Sequence, residues 1–174
     1  IRRTLGWAYK GMNEQTKAAQ QFECALAICE KNLGEAHLRT INNMFILGHV
    51  YMAQNRFDDA YRILNRQFQI VQREYATEYK LPFNALGSLY SRMGRYKDAE
   101  EAFLQKIEIV RREHGEGSIA VWPSLNLSYV YYQQGRYDEA ERLILKVPGV
   151  ASANPENWGM LGSVRILANI YRAQ

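Results

Sequence analysis

The sequence of 174 residues has only two cysteines, four prolines and no long apolar run. Cys24 and Cys29 lie five residues apart in a helical pattern, about 140° apart around the helix axis, so they cannot form a disulfide with each other. Two reduced thiols indicate an intracellular compartment, and we expect a cytoplasmic protein. The most apolar stretch, residues 41–53, is interrupted by polar side chains and is shorter than the ~20 residues that a membrane span requires.

The sequence also lacks dense clusters of one charge. Twenty-two basic residues against 18 acidic residues give a net charge of +4. The basic residues occur at most in pairs, such as Arg111 and Arg112, whereas a surface that follows a phosphate backbone needs a denser array. The charge pattern therefore does not favour a nucleic-acid-binding protein.

Signatures of catalysis and cofactor binding are missing as well. His37, His49 and His114 are far apart in the chain, and no pair of histidines or cysteines has the spacing of metal ligands. The Gly-rich segment 115–117 is too short for a phosphate-binding loop and indicates a helix break. Paired acids such as those at 58–59 are typical of a first helical turn, where the helix dipole favours them. We expect no catalytic residue, no metal, no cofactor and no enzymatic activity.

What the sequence does contain is an internal repeat of about forty residues. Five segments share the order leucine, small residue, any residue, apolar residue, tyrosine, and their tyrosines are 42, 39, 41 and 40 residues apart. Asparagine or glycine lies four residues after each of the first four tyrosines, alanine nine residues after, and a large apolar residue thirteen after. Agreement at five offsets in four copies indicates a repeat protein. The five tyrosines are Tyr9, Tyr51, Tyr90, Tyr131 and Tyr171.

Each unit is predicted to be a hairpin of two amphipathic helices. Leucine, tyrosine and their apolar neighbours form the stripe of a first helix, which ends at the asparagine or glycine because these residues tolerate a left-handed conformation. The small residue three before the tyrosine, such as Gly48, is expected to admit the backbone of a neighbouring helix. The alanine is expected at the tightest helix crossing. Because a single hairpin cannot bury its stripe, stacked neighbours must complete the core.

The repeat resembles the tetratricopeptide repeat (TPR), whose consensus has leucine, glycine, tyrosine, alanine and phenylalanine at these offsets. The period of about forty, and the corner segments 94–100 and 135–141, are similar to the kinesin light chain subtype. The resemblance implies an all-α, right-handed α-solenoid of TPR helix hairpins, with four repeats and the first helix of a fifth. We expect a single TPR array over residues 1–174, with repeats at approximately 1–34, 35–76, 77–115, 116–153 and a partial repeat at 154–174.

The fourth repeat departs from this pattern. Pro148 should end its second helix early, and Asn154 should cap the next helix with Pro155 at its first position. We therefore expect uneven helix lengths. No second helix covers the apolar face of the last helix, so we expect either self-association through exposed repeat ends or fraying of this helix. The residues of this face are Leu161, Val164, Leu167 and Ile170.

The resemblance also implies a binding surface. In this family the first helix of each repeat lines a concave groove, and residues six before, two before and one after the tyrosine share one helix face. We expect the groove to hold a protein or peptide segment with apolar anchors and acidic flanks, and about a third of these positions to be core instead. The aromatic residues of the fourth repeat should face small polar residues of the third. The candidate groove residues are Trp7, Phe45, His49, Asn84, Ser88, Ser91, Arg92, Trp122, Tyr129, Tyr132, Arg165 and Asn169.

The resemblance implies a non-catalytic protein–protein interaction scaffold, and the kinesin light chain subtype suggests adaptor-type recognition of short acidic, tryptophan-containing peptides. An alternative is a regulatory or sensor TPR array inside a larger multidomain protein, for example a nucleotide-binding signalling protein. An RNA-binding helical repeat is a third interpretation. One TPR subclass grips chaperone C-termini with lysine and asparagine at the groove positions. Here Arg3 and Trp7 stand at the first pair of these positions, so we expect no such binding.

Overall fold

The computed structural model of the chain describes residues 1–12, 14–75, 82–148 and 158–173, except the side chains of 158–164 and 173. Within these ranges the chain forms helices and turns and has no strand, which confirms the predicted all-α class. The chain divides into two compact units, Ile1–Leu89 (unit 1) and Tyr90–Gln174 (unit 2). The helices of the described residues are α1 (Arg2–Gly11), α2 (Gln15–Leu33), α3 (Leu38–Ala53), α4 (Phe57–Glu74), α5 (Phe83–Arg92), α6 (Tyr96–His114), α7 (Val121–Gln133), α8 (Tyr137–Leu145) and α9 (Trp158–Ala173).

Consecutive helices pack against each other within each unit. In unit 1, α1 packs on α2, α2 on α3 and α3 on α4; in unit 2, α6 packs on α7, α7 on α8, and α9 on both α7 and α8. The predicted helix hairpins are therefore present in both units. The single array over 1–174 and its repeat boundaries stay a prediction.

The turn between the two helices of a hairpin is left-handed, as predicted. Asn55, Gly94 and Gly135 have φ of 58°, 73° and 73°. Asparagine and glycine are the residues that adopt this conformation with little strain. The fourth predicted turn residue, Asn13, lies outside the described residues.

An arginine directly after this turn contacts both helices of the hairpin. In three repeats it lies over the ring of the repeat tyrosine and pairs with an acid three residues later, which stabilises the first turn of the second helix. The first repeat has the opposite charges, since Glu14 pairs with Lys17 at 2.5 Å and Lys17 lies over Tyr9. The stacked pairs are Arg56 on Tyr51 (4.2 Å), Arg95 on Tyr90 (4.6 Å) and Arg136 on Tyr131 (4.0 Å).

The small residue three before the tyrosine has a different neighbour from the one expected. A Cβ added to Gly48 would lie 2.7 Å from the side chain of Leu64, and one added to Gly6 would lie 2.8 Å from the ring of Phe22. Both neighbours are fully buried large residues, thirteen after the repeat tyrosine. The expectation of a close backbone was wrong, because the nearest atoms belong to a side chain of the second helix.

The alanine nine residues after each tyrosine is fully buried in all four repeats, consistent with a close helix crossing. The large apolar residue four positions later is equally buried, so both lie on the inward face of the second helix. These residues are Ala18, Ala60, Ala99 and Ala140, with Phe22, Leu64, Phe103 and Ile144.

The fourth repeat is irregular, as predicted. Its second helix, α8, has 9 residues, against 18 or 19 in α2, α4 and α6. The predicted helix start at Asn154 and Pro155 lies outside the described residues. The expectation of an uncovered face on the last helix was wrong for two of its residues. Ile170 is fully buried in the cluster around α7, and Leu167 packs against a second cluster of α7 and α8, because these helices supply the cover.

Candidate peptide-binding surfaces

The first helices of unit 1 carry three aromatic side chains and one lysine, which we name the α1–α3 patch: Trp7, Lys10, Phe45 and His49. Trp7 is 46% exposed and Phe45 is 36% exposed. Trp7 meets the buried ring of Phe22 edge-on at 5.5 Å, and Phe45 meets His49 at 4.6 Å. The Nζ of Lys10 lies 4.8 Å from the Trp7 ring centre. The patch therefore combines aromatic side chains that are fixed by ring contacts with one cation.

His49 lies partly buried within the α1–α3 patch. Burial lowers the pKa of its imidazole below the ordinary value of 6.5, and the positive charge of Lys10 lowers this pKa further. The fold therefore favours the neutral imidazole. Lys10 of α1 is therefore close enough to His49 of α3 for its charge to act on the imidazole.

Two aromatic residues of α7 form the main exposed apolar feature on the first-helix face of unit 2. Trp122 is 58% exposed and Tyr129 is 43% exposed. They are seven residues apart, so they lie on one side of the helix, and we name them the α7 aromatic pair. Tyr132 differs, because it is partly buried against the core cluster of unit 2 and its ring lies 5.7 Å from Tyr137. Its packing makes a structural contribution, as expected for some groove positions.

The small polar candidates lie on α5. Asn84 and Ser88 are partly buried, and the Ser88 hydroxyl donates a 2.8 Å hydrogen bond to the backbone carbonyl of Asn84 within the helix. Ser91 is partly buried and Arg92 is exposed. Asn84 and Ser88 belong to unit 1 and the α7 aromatic pair to unit 2. That they face each other stays a prediction.

The last two candidates lie on α9, which packs on α7 and α8. Arg165 is exposed and Asn169 is partly buried. Arg165 is therefore an exposed cation on a helix that packs against the helix of the α7 aromatic pair. This arrangement fits the predicted combination of an apolar anchor and an acidic flank.

A cleft on the second-helix side of unit 2 was missed by the sequence reasoning. It has a volume of about 510 Å³, lies between α6 and α8, and is floored by Leu127 and Tyr131 of α7. Arg111, Arg142 and Lys146 line it. The sequence contains one signal of this α6–α8 cleft. Arg111 and Lys146 are both cations, whereas the equivalent positions of the first two repeats have the acid Glu30 and the cation Arg66.

The α1–α3 patch, the α7 aromatic pair and the α6–α8 cleft do not have the composition of a metal site. Across the described ranges, no group of three histidine, cysteine, aspartate or glutamate side chains is arranged to hold a metal ion. In the same ranges, every helix is too short or too polar to cross a membrane. The aromatic and cationic side chains instead have the chemistry of contact surfaces.

Comparison with known families explains the repeated hairpin. Models described as tetratricopeptide repeat match residues 1–39, 38–105 and 81–147. The chain belongs to the tetratricopeptide repeat family. TPR repeats mediate protein–protein interactions and are typically non-catalytic. The search of curated proteins found no match to this chain.

Solved TPR structures show the same fold. Two crystal structures of a kinesin light chain-like protein of Podosopora anserina with nearly identical TPR-like repeats, one of them a variant, have TM-scores of 0.76 and 0.75 at 22% and 21% identity. Each match covers 99% of this chain and 84% of the other. BtubC (BKLC) from P. vanneervenii has a TM-score of 0.68 at 22% identity, and the match covers 82% of this chain but only 58% of BtubC. The predicted resemblance to kinesin light chain-like repeats is confirmed for the fold.

Proposed function

We propose that this TPR chain is a non-catalytic interaction module that binds a peptide segment of a partner protein on its first-helix faces. The observation that carries the proposal is the exposure of Trp122 and Tyr129 on one side of α7. Aromatic side chains supply large, rigid contact area and are enriched at the centres of protein interfaces. Burying one apolar side chain of a partner on this pair would contribute about 1.5–3 kcal/mol to binding.

Charge supports an acidic flank in the bound peptide. Arg165 is exposed on α9 in the same unit as the α7 aromatic pair, and Lys10 lies over Trp7 in the α1–α3 patch. Cations beside an apolar anchor increase the association rate and the specificity for acids more than the affinity. The preferred ligand is therefore a peptide with apolar anchors and acidic flanks.

The compartment is part of the same proposal. Cys24 and Cys29 are both free thiols, and Cys24 is exposed. Free thiols persist in a reducing environment, which supports a cytoplasmic location for the module. Partner proteins in the same compartment would supply the peptide.

Selection from a random peptide library displayed on phage tests the proposal. We expect the selected peptides to carry an aromatic or large aliphatic residue flanked by aspartate or glutamate. Calorimetry should then show that the double variant Trp122→Ala/Tyr129→Ala binds these peptides at least about tenfold more weakly, because it removes the apolar anchor site.

The matched control is the double variant Ile28→Ala/Tyr61→Ala, which removes two exposed apolar side chains from second helices. It should retain the affinity of the unaltered chain. Recovery of no peptide above background, or equal binding to both double variants, would contradict the proposed site.

A further inference from the structure

The α6–α8 cleft combines an aliphatic surface with cations. Leu104 is 46% exposed at its edge, and Ile107 and Leu143 are partly buried within it. Arg111 and Lys146 are exposed and form no ion pair with any residue that the structure describes. The cleft thus offers apolar area and two uncompensated positive charges.

The corresponding positions of unit 1 show what this cleft is missing. Arg111 lies 21 residues after the tyrosine of its repeat, and Lys146 lies 15 residues after the next tyrosine. At these offsets unit 1 has Glu30 and Arg66, which form a 2.6 Å ion pair between α2 and α4. Arg66 also reaches Glu35 at 3.4 Å. In unit 1 the chain itself therefore supplies two carboxylates that neutralise the charge of Arg66.

The aliphatic edge is a second difference between the two units. Leu104 lies 14 residues after its repeat tyrosine, where unit 1 has Glu23. The carboxylate of Glu23 accepts a 2.8 Å hydrogen bond from the hydroxyl of Tyr51. Unit 2 therefore replaces two acids of unit 1 by an arginine and an exposed leucine.

Two acids line the cleft together with its three cations, and one of these acids already has a partner outside the cleft lining. Glu139 pairs with Arg136 at 2.7 Å, and this guanidinium holds the pKa of Glu139 below its usual range. Arg142 donates a hydrogen bond to the Asp138 carbonyl oxygen at 3.2 Å, and its positive charge also contributes to the lowered pKa of Glu139. Glu108 is the other acid in the lining.

We propose that the α6–α8 cleft is a second binding site, which takes an acidic segment of a partner protein. The carboxylates of the bound segment pair with Arg111, Arg142 and Lys146, as Glu30 pairs with Arg66 in unit 1. One aliphatic side chain of the segment covers the exposed surface of Leu104. The site is independent of the proposed first-helix surfaces and does not rest on them.

A peptide fits this cleft better than a nucleic acid does. The edge and floor are aliphatic, whereas single-stranded nucleic acids bind to aromatic stacking platforms in a continuous cationic groove. Three cations with two acids among them also make a much weaker phosphate-tracking surface than nucleic-acid-binding proteins use. Alternating carboxylates around one aliphatic residue match the cleft in both charge and polarity.

The test measures binding of a fluorescein-labelled peptide with a central leucine between runs of glutamate, by fluorescence anisotropy on the full chain at low ionic strength. We expect Arg111→Glu/Lys146→Glu to weaken binding at least about tenfold. The control Lys31→Glu/Arg39→Glu makes the same change in net charge on exposed residues of unit 1 and should change the affinity less than about twofold. Trp122→Ala/Tyr129→Ala should also leave it unchanged, so this proposal and the proposed function fail separately.

The single change Arg111→Glu adds a readout that a purely structural role would not give. It places a carboxylate at the position that Glu30 has in unit 1, but it also puts an acid in the last turn of α6, where the helix dipole favours a cation. The variant Arg111→Glu/Lys146→Gln makes the same change in that turn and has no lysine to pair with the new carboxylate. We therefore expect Arg111→Glu to have a higher urea midpoint of unfolding than this double variant, while it weakens peptide binding. An equal or lower midpoint would overturn the proposal, because residues 111 and 146 would then not face the same cleft.

Three further results would also overturn the proposal. The first is equal weakening by the unit 1 control, which would reduce the effect to net charge. The second is equal binding of a peptide with serine in place of the central leucine. The third is tighter binding of a labelled oligouridine than of the peptide, which would make the cleft a phosphate-binding surface.

Discussion

Replacing Gly48 by alanine tests how closely the two helices of a hairpin approach. Gly48 lies inside α3, where intrinsic helix propensity alone would make alanine more stable by about 1 kcal/mol. The added Cβ, however, would lie 2.7 Å from both Cγ and Cδ2 of Leu64. Leu64 is fully buried, so its side chain has no free space into which to move.

The two effects oppose each other, and overpacking should be larger. Forcing an extra methyl group into a packed core costs about 1–3 kcal/mol, from which the propensity gain of about 1 kcal/mol is subtracted. We expect Gly48→Ala to lower the free energy of unfolding by about 1 kcal/mol. For a chain of this size that corresponds to a fall in Tm of about 2–4 °C.

Two further variants isolate the contact. A Cβ on Gly11, the last residue of α1, would meet no atom within 4 Å, so Gly11→Ala should leave stability unchanged or raise it by some tenths of a kcal/mol. Leu64→Ala alone should cost about 2–5 kcal/mol. In the double variant the clash is absent and the new methyl group fills part of the cavity. The combined loss should therefore be smaller than the sum by at least about 1 kcal/mol.

Urea unfolding followed by far-UV circular dichroism measures all four chains. Strict additivity of Gly48→Ala and Leu64→Ala would refute the contact between these residues. A gain in stability from Gly48→Ala similar to that from Gly11→Ala would refute the close packing of α3 on α4.

Three further predictions follow from the charged and titratable groups. Arg136→Lys should lower the free energy of unfolding by about 1–2 kcal/mol, because lysine lacks the planar guanidinium that binds Glu100 on α6 and Glu139 on α8. The control Arg62→Lys changes a side chain that is 76% exposed, and it should alter the free energy of unfolding by less than about 0.5 kcal/mol. Because Arg136 lowers the pKa of Glu139, this pair should stabilise the fold above pH 4.5 and lose its effect as the pH falls below that value, and Glu139→Gln should flatten urea midpoints measured across this range. His49 has a folded-state pKa below 6.5, so its contribution to stability should be full above pH 6.5 and decline at lower pH, and His49→Gln should remove that decline in the same assay.

Much of the hairpin could be predicted from the repeat offsets alone. The left-handed turn at Asn55, Gly94 and Gly135 follows from the few residue types that accept positive φ. Burial of the alanines follows from their position on the second helix. Family membership follows from the same offsets, since no other feature of the chain has this period.

The offsets predict which face of a helix is inward, but they do not identify the atom that it meets. Gly48 was expected to meet a backbone and instead meets Leu64, because the distance between two helices depends on the side chains of both. Ile170 was expected to be uncovered and is instead fully buried, because the contacts of α9 with α7 and α8 cannot be read from its own pattern. Tyr132 shows the same limit, since its periodicity matches Tyr129 although its ring packs against the core.

The α6–α8 cleft was missed for a related reason. Its residues do not break the amphipathic pattern, because leucine, arginine and lysine are all ordinary on an exposed helix face. Only a comparison of repeats at equal offsets shows that Arg111 and Lys146 stand where Glu30 and Arg66 form an ion pair. Such a comparison needs the knowledge that α2 and α4 are neighbours, which the fold supplies.

The chain therefore uses two sets of positions in different ways. The tyrosine, the turn residue, the alanine and the large apolar residue form each hairpin and have the same character in four repeats. Positions 14, 15 and 21 after the tyrosine lie outside this set, and the fold tolerates Glu23 and Glu30 in unit 1 but Leu104 and Arg111 in unit 2. Arg111 and Lys146 form no ion pair with any residue that the structure describes, so we expect these positions to stabilise unit 2 less than the ion pair of Glu30 and Arg66 stabilises unit 1. A site that binds carboxylates requires this loss, because cations already paired within the chain would have to be released before a partner could use them.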